Sequence, residues 1–438
     1  MNSTISDVLA FVKENDVKFV RLGFCDPFGF QKNISIMADE LPAAFEQGVS
    51  FDAHAIRGFR DAVRSDLLLF PVADTLTVLP WRPGPGRVMR FYCDIKNPDG
   101  TPFASDGRYL LHRVVQRAEA MGYVCKVGAE CEFYLFKTDE HGQPTEATLD
   151  RGGYLDISPL DKGEDIRREI CLTLEEMGIA PEASHHEQGP GQNEVDFKFS
   201  DAMRCADNLL TFKSVVKAIA ARNGLFASFM PKPIAGAPGS GMHVNLSLSK
   251  DGRNLFAPDA TQGTAAESFI AGILERAAEI TLFLNPLANS YERFGAFEAP
   301  QYVSWSPQNR SQLVRIPAAI GEKRRMELRS PDPAANPHLA FALILAAGLD
   351  GMERGLHLPE PVEADLFTAD AHVADGLARL PGSLAEAIAL AQGSELVKRV
   401  LGESFLARYL AIQAAEAAEF AIAEDKQAFY RTRYFPLI

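Results

Sequence analysis

The sequence has no CxxC pair: its six cysteines, Cys25, Cys93, Cys125, Cys131, Cys171 and Cys205, are scattered. That spacing argues against a disulfide scaffold or a structural zinc site and fits a reducing compartment. Long apolar runs are missing as well. The longest, Leu339 to Leu349, covers 11 residues, against the ~20 that a membrane-spanning helix needs, and reads as a buried helix. The start, MNSTISDVLAFVKENDVKF, lacks the basic beginning and apolar centre of a signal peptide, so cytoplasmic is the default expectation. There is no GxxxxGK[ST], GxGxxG or GxSxG, and HHE at 185–187 is not HExxH. The common P-loop, the dinucleotide fingerprint, the nucleophile elbow and the zinc protease are therefore unsupported. Positive charge is in deficit: 44 Lys and Arg against 58 Asp and Glu give 44 − 58 = −14. That balance argues against a general binder of nucleic acid or anionic membrane.

What is present is a chain of 438 residues, 47% hydrophobic and 23% charged, the composition of a globular protein with a large core. At roughly 150 residues per domain it holds two or three domains. The first ~100 residues suit a small α+β unit. Ser3 or Thr4 can cap a helix running toward Asn15, and ADELPAAFEQG reads as a second helix ending at Gly48. Strand candidates are KFVRLGFC, QKNISIM, DLLLFPV, LTVLP and VMRFYCDI, with turn-rich WRPGPGR among them. The stretch NPDGTPFASDGR, 97–108, is the best domain boundary. Beyond it, helices are expected over 108–121, 165–177, 207–223, 264–284, 334–353 and 395–424. The last of these reads as scaffold or oligomer contact.

Four strand candidates carry similar chemistry on one face, because side chains i and i+2 share a side of a strand. In VGAECEFYLF, Glu130 and Glu132 oppose Cys131, Phe133 and Leu135. In GMHVNLSLS, His243, Asn245 and Ser247 oppose Val244, Leu246 and Leu248. In RRMELRS, Arg325, Glu327 and Arg329 oppose Met326 and Leu328, and in NEVDFKF, Glu194, Asp196 and Lys198 oppose Val195, Phe197 and Phe199. One such face alone suits a solvated antiparallel sheet. Four together, with Glu and His recurring, need a cation to offset the repulsion. Several glutamates and a histidine suit Mg²⁺ or Mn²⁺, and glutamates from different strands suit a two-metal phosphoryl-transfer site. Arg310, Arg315, Arg325 and Arg329 add guanidinium groups for phosphate or carboxylate. GAPGSGMH, 236–243, is a glycine-rich loop that permits close approach to a ligand.

In order along the chain, FDAHAIRGF, CDIKNPDGTPF, GAECEFYLF, GGYLDIS, EASHHEQGPGQNEVDF, FMPKPIAGAPGSGMHVNLSL, NPLANSYERFGAFEAP, NRSQLVRIP and RRMELRSPDPAANPHLA resemble the glutamine synthetase family, in its short bacterial class I form. The resemblance spans nearly the whole chain. It implies an α+β protein: an N-terminal β-grasp domain, 1–104, and a catalytic domain, 105–438, whose antiparallel sheet is flanked by helices. It also implies a homo-oligomer, usually a dodecamer of two hexameric rings, with active sites between subunits and no nucleic-acid or membrane partner.

The resemblance carries roles onto matching positions. Glu132, Glu187 and Glu194 match ligands of the metal on the glutamate side, and Glu130, His243 and Glu327 those of the metal on the ATP phosphates. Two or three Mg²⁺ or Mn²⁺ ions per site are implied. Gly239, Arg293 and Arg329 match glutamate-binding positions. Arg310, Arg315 and Arg325 match phosphate contacts, and Ser247 falls in the ATP pocket. Glu298 matches the flap glutamate, Asp52 the aspartate of the adjacent subunit that helps deprotonate ammonium, and Tyr154 another residue of the ammonium pocket. The implied activity is glutamine biosynthesis: ATP-dependent ligation of ammonia to the γ-carboxylate of L-glutamate through γ-glutamyl phosphate, releasing ADP and phosphate. The alternative acceptor is a small alkylamine such as methylamine. The departures concern that choice. Where the family usually has FDGSS this chain has Phe51-Asp52-Ala53-His54-Ala55, so a serine that helps hold ammonium is lost. Ala53 and Ala55 leave room for a methyl group, which His54 can refill. The flap is shorter, Pro238 replaces an asparagine, and the adenylylation loop of some members is not recognisable.

Overall fold

The computed structural model describes residues 4–60, 62–81, 86–257 and 263–438. Ser3 and residues 82–85 of the turn-rich stretch lie outside the described residues. Thr4 caps the helix Ile5–Glu14 in a reciprocal box with Asp7. The second helix, Leu41–Gln47, stops at Gly48, whose φ of 72° disfavours a side chain.

Among the described residues six strands build the N-terminal sheet: β1 (Val17–Cys25), β2 (Gln31–Met37), β3 (Val49–Asp52), β4 (Asp66–Pro71), β5 (Thr77–Val78) and β6 (Arg87–Lys96). They run in the order β2-β1-β6-β4-β3, with β5 on β6. The β1–β6 pair is parallel and the others antiparallel. β3, which ends at Asp52, is a strand the residue pattern did not single out. Val20, Leu22, Leu67, Leu69, Phe91 and Phe103 form a core separate from that of the larger domain.

Among the described residues the larger domain holds eleven strands: β7 (Val124–Thr138), β8 (Pro144–Thr148), β9 (Pro181–His186), β10 (Gln192–Phe197), β11 (Ser200–Asp201), β12 (Leu225–Ser228), β13 (Met242–Lys250), β14 (Arg253–Asn254), β15 (Trp305–Pro307), β16 (Val314–Ile316) and β17 (Met326–Leu328). The central path is β15-β16-β17-β13-β7-β10-β9. Its ladders are antiparallel except β15–β16, which is parallel. The expected alternation through NEVDFKF stops early. The register shifts between Asp196 and Phe197, β10 ends there, and Lys198 and Phe199 are both exposed.

The apolar run Leu339–Leu349 is buried throughout, within the helix Pro337–Arg354 that packs on Gly263–Leu284. Glycines let the two backbones touch: a Cβ on Gly272 would fall 2.3 Å from the Ala347 carbonyl oxygen. Two helix starts differ from expectation because caps fix them. Asp201 accepts from the Arg204 amide, so that helix begins at Ala202; Asn336 accepts from the amides of His338 and Leu339, so the next begins at Pro337. The single helix expected over 395–424 is two, Glu395–Leu401 and Glu403–Ile422. Gly402, with φ 83°, breaks it.

Candidate active site

β7 is the spine of the site. Its period of two sends Glu130 and Glu132 to one side, while Cys131 and Phe133 enter the core. His243 of β13 stands directly across from Glu130, Glu194 of β10 across from Glu132, and Glu327 of β17 across from Asn245. These side chains line a cavity of about 470 Å³ with Glu187, Arg293, Arg315, Arg325 and Arg329.

Glu130, His243 and Glu327 each offer a ligand atom within 4.8 Å of the others. His243 Nδ1 is 3.3 Å from Glu130 Oε2 and 3.5 Å from Glu327 Oε1. Asn245 Nδ2 donates to Glu130 Oε1 at 2.9 Å, and Arg315 Nη1 to Glu327 Oε2 at 2.6 Å. Burial opposes the charge on Glu130, but the His243 and Asn245 hydrogen bonds outweigh it and hold the carboxyl at about 2. Burial likewise opposes the charge on Glu327, and Arg329 and His243 keep its carboxyl below the usual range.

The second set is less compensated. Burial and then Glu187 push Glu132 up to about 7, and burial with Asp196 and Glu132 pushes Glu194 well up. Carboxylates that raise one another's pKa without enough positive charge nearby fit a divalent cation, and the all-oxygen set suits a hard one. Glu187 accepts from His185 Nε2 at 2.8 Å, and among the described residues Glu194 clusters within 4.8 Å with His185 and Asp196 rather than with Glu132 and Glu187. Behind them, the ring nitrogens of His186 sit 2.9 Å from Asp150 Oδ1 and 2.7 Å from the Glu187 carbonyl oxygen. Both partners are acceptors, so both nitrogens donate, and this buried imidazolium anchors the Glu187 backbone. Asp161, which clusters with Asp150 and His186 within 4.8 Å, is taken up by Arg167.

Arg293 is buried, and its Nη1 donates to the Ser330 carbonyl oxygen at 2.9 Å. Gly239 packs against it so tightly that a Cβ would lie 2.6 Å from Arg293 Cγ and 2.5 Å from the Pro231 carbonyl oxygen. Tyr154 lines the cavity with its ring edge-on to His185 at 5.6 Å. Glu298 meets Arg329 Nη2 at 3.3 Å and Arg310 Nη1 at 3.6 Å through the same oxygen. Ser247 lies apart, in an adjoining cavity of about 320 Å³ that shares Glu130 and Arg325 with the first. Asp52 is not brought to the cavity by its own chain. It is exposed at the end of β3 and accepts from the His54 amide at 2.9 Å. Ala53 is fully buried in the N-terminal core, so it makes no room for a methyl group; of the two alanines only Ala55 is exposed.

Gln192 and Gln188 were missed from the residues alone. Gln192 Nε2 donates to Glu132 Oε2 at 2.7 Å and to the Gly239 carbonyl oxygen at 3.1 Å. It stands two residues before Glu194 on the same face, so the alternation carried that signal. Gln188 Nε2 donates to Glu298 Oε1 at 3.2 Å across 110 residues, a contact no local pattern announces.

Comparison with known proteins agrees with this geometry. The profile described as glutamine synthetase, β-grasp domain, matches residues 16–98, and that described as glutamine synthetase, catalytic domain, matches 104–432. A glutamine synthetase of Clostridium saccharobutylicum is 48% identical over 94% of this chain and 95% of its own length. One from Methanosarcina mazei is 47% identical over 95% of each. A solved structure of GmaS in complex with ADP superposes with a TM-score of 0.87 at 31% identity, covering 98% of this chain and 99% of that one. Two successive domain matches and relatives aligned almost end to end leave one assignment: the chain belongs to the glutamine synthetase family, with that family's β-grasp and catalytic domains in order.

Proposed function

We propose that this enzyme ligates ammonia to the γ-carboxylate of L-glutamate at the expense of ATP, giving glutamine, ADP and phosphate. The observation that carries the reading is the Glu130–His243–Glu327 cluster facing Arg315, Arg325 and Arg329 in one cavity. Those three ligands would hold one divalent ion, and Glu132, Glu187 and Glu194 a second; when bound, such ions neutralise charge on phosphate oxygens. Arg293, Arg329 and the Gly239 backbone hold glutamate, with its γ-carboxylate directed at the γ-phosphorus of ATP. Ser247, in the adjoining cavity, and Arg325, which lines both, seat the nucleotide, and Arg310 and Arg315 bind phosphoryl oxygens. The carboxylate oxygen attacks phosphorus in line, and ADP leaves with the electron pair of the broken P–O bond. The amine nitrogen then attacks the acyl carbon of γ-glutamyl phosphate, phosphate departs, and Asp52 accepts the amine's proton with Tyr154 beside it. Glu298 closes the cavity against water.

Asp52 lies outside its own chain's cavity, which supports its supply by a second copy in a ring assembly, a dodecamer in the family's usual form. Ammonia as acceptor is supported by the relatives named glutamine synthetase at 44–48% identity. A second reading, ligation of methylamine, is supported by the likeness to GmaS, a γ-glutamylmethylamide synthetase, and by the lost serine after Asp52. Phosphate release with ATP, Mg²⁺ and glutamate across ammonia, methylamine, ethylamine and polyamines tests both. The reading requires release that depends on glutamate and an amine. Equal release without glutamate would make the protein a phosphohydrolase instead. Among the described residues no helix is long and apolar enough to cross a membrane.

A further inference from the structure

The flap carrying Glu298 is a tight turn in an unusual conformation. Gly295 N donates to the Ala299 carbonyl oxygen at 2.8 Å, and Ala296 pairs with Ala299. Between them Phe297 and Glu298 have φ of +49° and +63°. Two consecutive left-handed residues are the signature of a turn that favours Asn-Gly, so two bulky side chains there are strained. Such a turn persists only while its surroundings hold it. The Phe297 ring lies 4.6 Å from Lys232 Nζ, and Arg329 Nη2 is 3.3 Å from the Glu298 carbonyl oxygen.

At the tip, the two carboxylate oxygens of Glu298 have different partners. Oε2 faces Arg329 and Arg310. Oε1 accepts from Gln188 Nε2, which follows directly on Glu187. The distinction matters during turnover. Arg329 and Arg310 are the groups assigned above to the glutamate and phosphoryl anions, so bound substrate competes with Glu298 for them. Gln188 is neutral, is not drawn toward those anions, and keeps its bond to Glu298 when the arginines are shared.

We infer that Gln188 is a positioning residue that latches the flap shut while the acyl phosphate waits for its amine; this rests on the ligase reading above. With the latch open, water reaches the intermediate. Its oxygen attacks the acyl carbon of γ-glutamyl phosphate, the bond from that carbon to the phosphate oxygen breaks, and phosphate leaves with the electron pair. The water's proton passes to solvent, and glutamate is returned with ATP spent. Gln188 thereby sets how much phosphate is released per γ-glutamyl product.

The test uses the full-length enzyme and two variants, Gln188→Leu, which keeps the bulk and removes the donor, and Gln188→Glu, which sets a second carboxylate against Glu298. Gln188 is exposed, so neither change opens the core. Phosphate and γ-glutamyl product are measured together, with and without amine. In Gln188→Leu the phosphate-to-product ratio rises roughly two- to tenfold, the span that one hydrogen bond supports. It rises further in Gln188→Glu, and the KM for amine increases while that for ATP does not. A merely structural defect would lower both products together and leave the ratio alone. Wild-type activity with an unchanged ratio in both variants overturns the latch alone. A wild-type enzyme that makes no γ-glutamyl product with any amine overturns the ligase reading and the latch with it.

Discussion

Gln192 Nε2 lies 2.7 Å from Glu132 Oε2, and the same nitrogen lies 3.1 Å from the carbonyl oxygen of Gly239. One buried amide therefore fixes a carboxylate of the second acidic set and the backbone assigned to glutamate. Its own oxygen accepts from the Gly189 amide at 2.9 Å, which sets the orientation of the group. Gln192→Ala removes a hydrogen bond to a charged group, worth about 1.5–3 kcal/mol, or roughly ten- to a hundredfold in kcat/KM. The Mg²⁺ concentration for half-maximal ADP formation should rise with the glutamate KM, because both partners are loosened together. A Mg²⁺ titration at several glutamate concentrations checks this; a rise in one constant without the other would separate the two roles.

The proposed ring assembly makes a further prediction. Glu327→Ala removes a carboxylate from the Glu130–His243 cluster and should abolish turnover by itself. Asp52→Ala should do so too, although Asp52 lies outside its own chain's cavity. If the site is shared between copies, rings reassembled from a mixture of the two variants contain some sites with both residues intact. Activity should then return in part, and glutamine formation by verified mixed rings measures it. Mixed rings as inactive as either parent would count against a site shared between copies.

Much of this site was legible because strands write their faces into sequence with a period of two. Glu130, His243 and Glu327 come from three segments far apart in the chain, yet each followed from alternation against a buried neighbour, and the ladder sets His243 opposite Glu130. Alternation failed where the ladder did: Lys198 lies past a register shift, outside β10. The helix expected over 395–424 failed for a different reason. Its apolar period continues on both sides of Gly402, and only the backbone angle there breaks it. Asp52 was legible only through family resemblance. A carboxylate at a strand end has no local pattern that distinguishes it from a turn residue.

Asp26 gives a prediction on stability, away from the active cavity. Its Oδ1 accepts from the amides of Phe28 and Phe30 at 2.9 and 3.0 Å. Burial nevertheless outweighs these bonds and Lys32, and pushes the carboxyl up to about 6. The folded form thus binds a proton more tightly than the unfolded chain, whose value is near 3.8. This contribution is fully present below about pH 4, falls as pH rises, and is lost above about 6. Asp26→Asn keeps the acceptor oxygen and abolishes the titration. The variant's unfolding free energy, followed through its thermal midpoint, should gain on wild type between pH 4 and 7 by on the order of 2 kcal/mol. A difference between the two proteins that is flat across that window would show that Asp26 is ionised without cost.

The proposed amine pocket holds the departure from the family's usual FDGSS. In the proposed reaction Asp52 still offers a cationic amine a carboxylate able to attract and deprotonate it. The serine that usually follows in FDGSS is absent, and Ala55 stands exposed in its place, with exposed His54 beside it. A missing hydrogen bond to ammonium costs about 1.5–3 kcal/mol, or roughly ten- to a hundredfold in affinity. The methyl group of methylamine loses nothing by that absence, because it needs no hydrogen-bond partner there. The ammonium KM should therefore exceed that of relatives with the serine, and methylamine should turn over measurably. Because Ala53 is locked in the N-terminal core, Ala55→Ser is the informative change. It should lower the ammonium KM, leave the glutamate KM alone and weaken methylamine turnover. Tight ammonium binding by wild type with no methylamine turnover would make the departure neutral. A higher kcat/KM for methylamine than for ammonia would transfer the assignment to the alkylamine, because the same carboxylate would then be serving the bulkier nucleophile by preference.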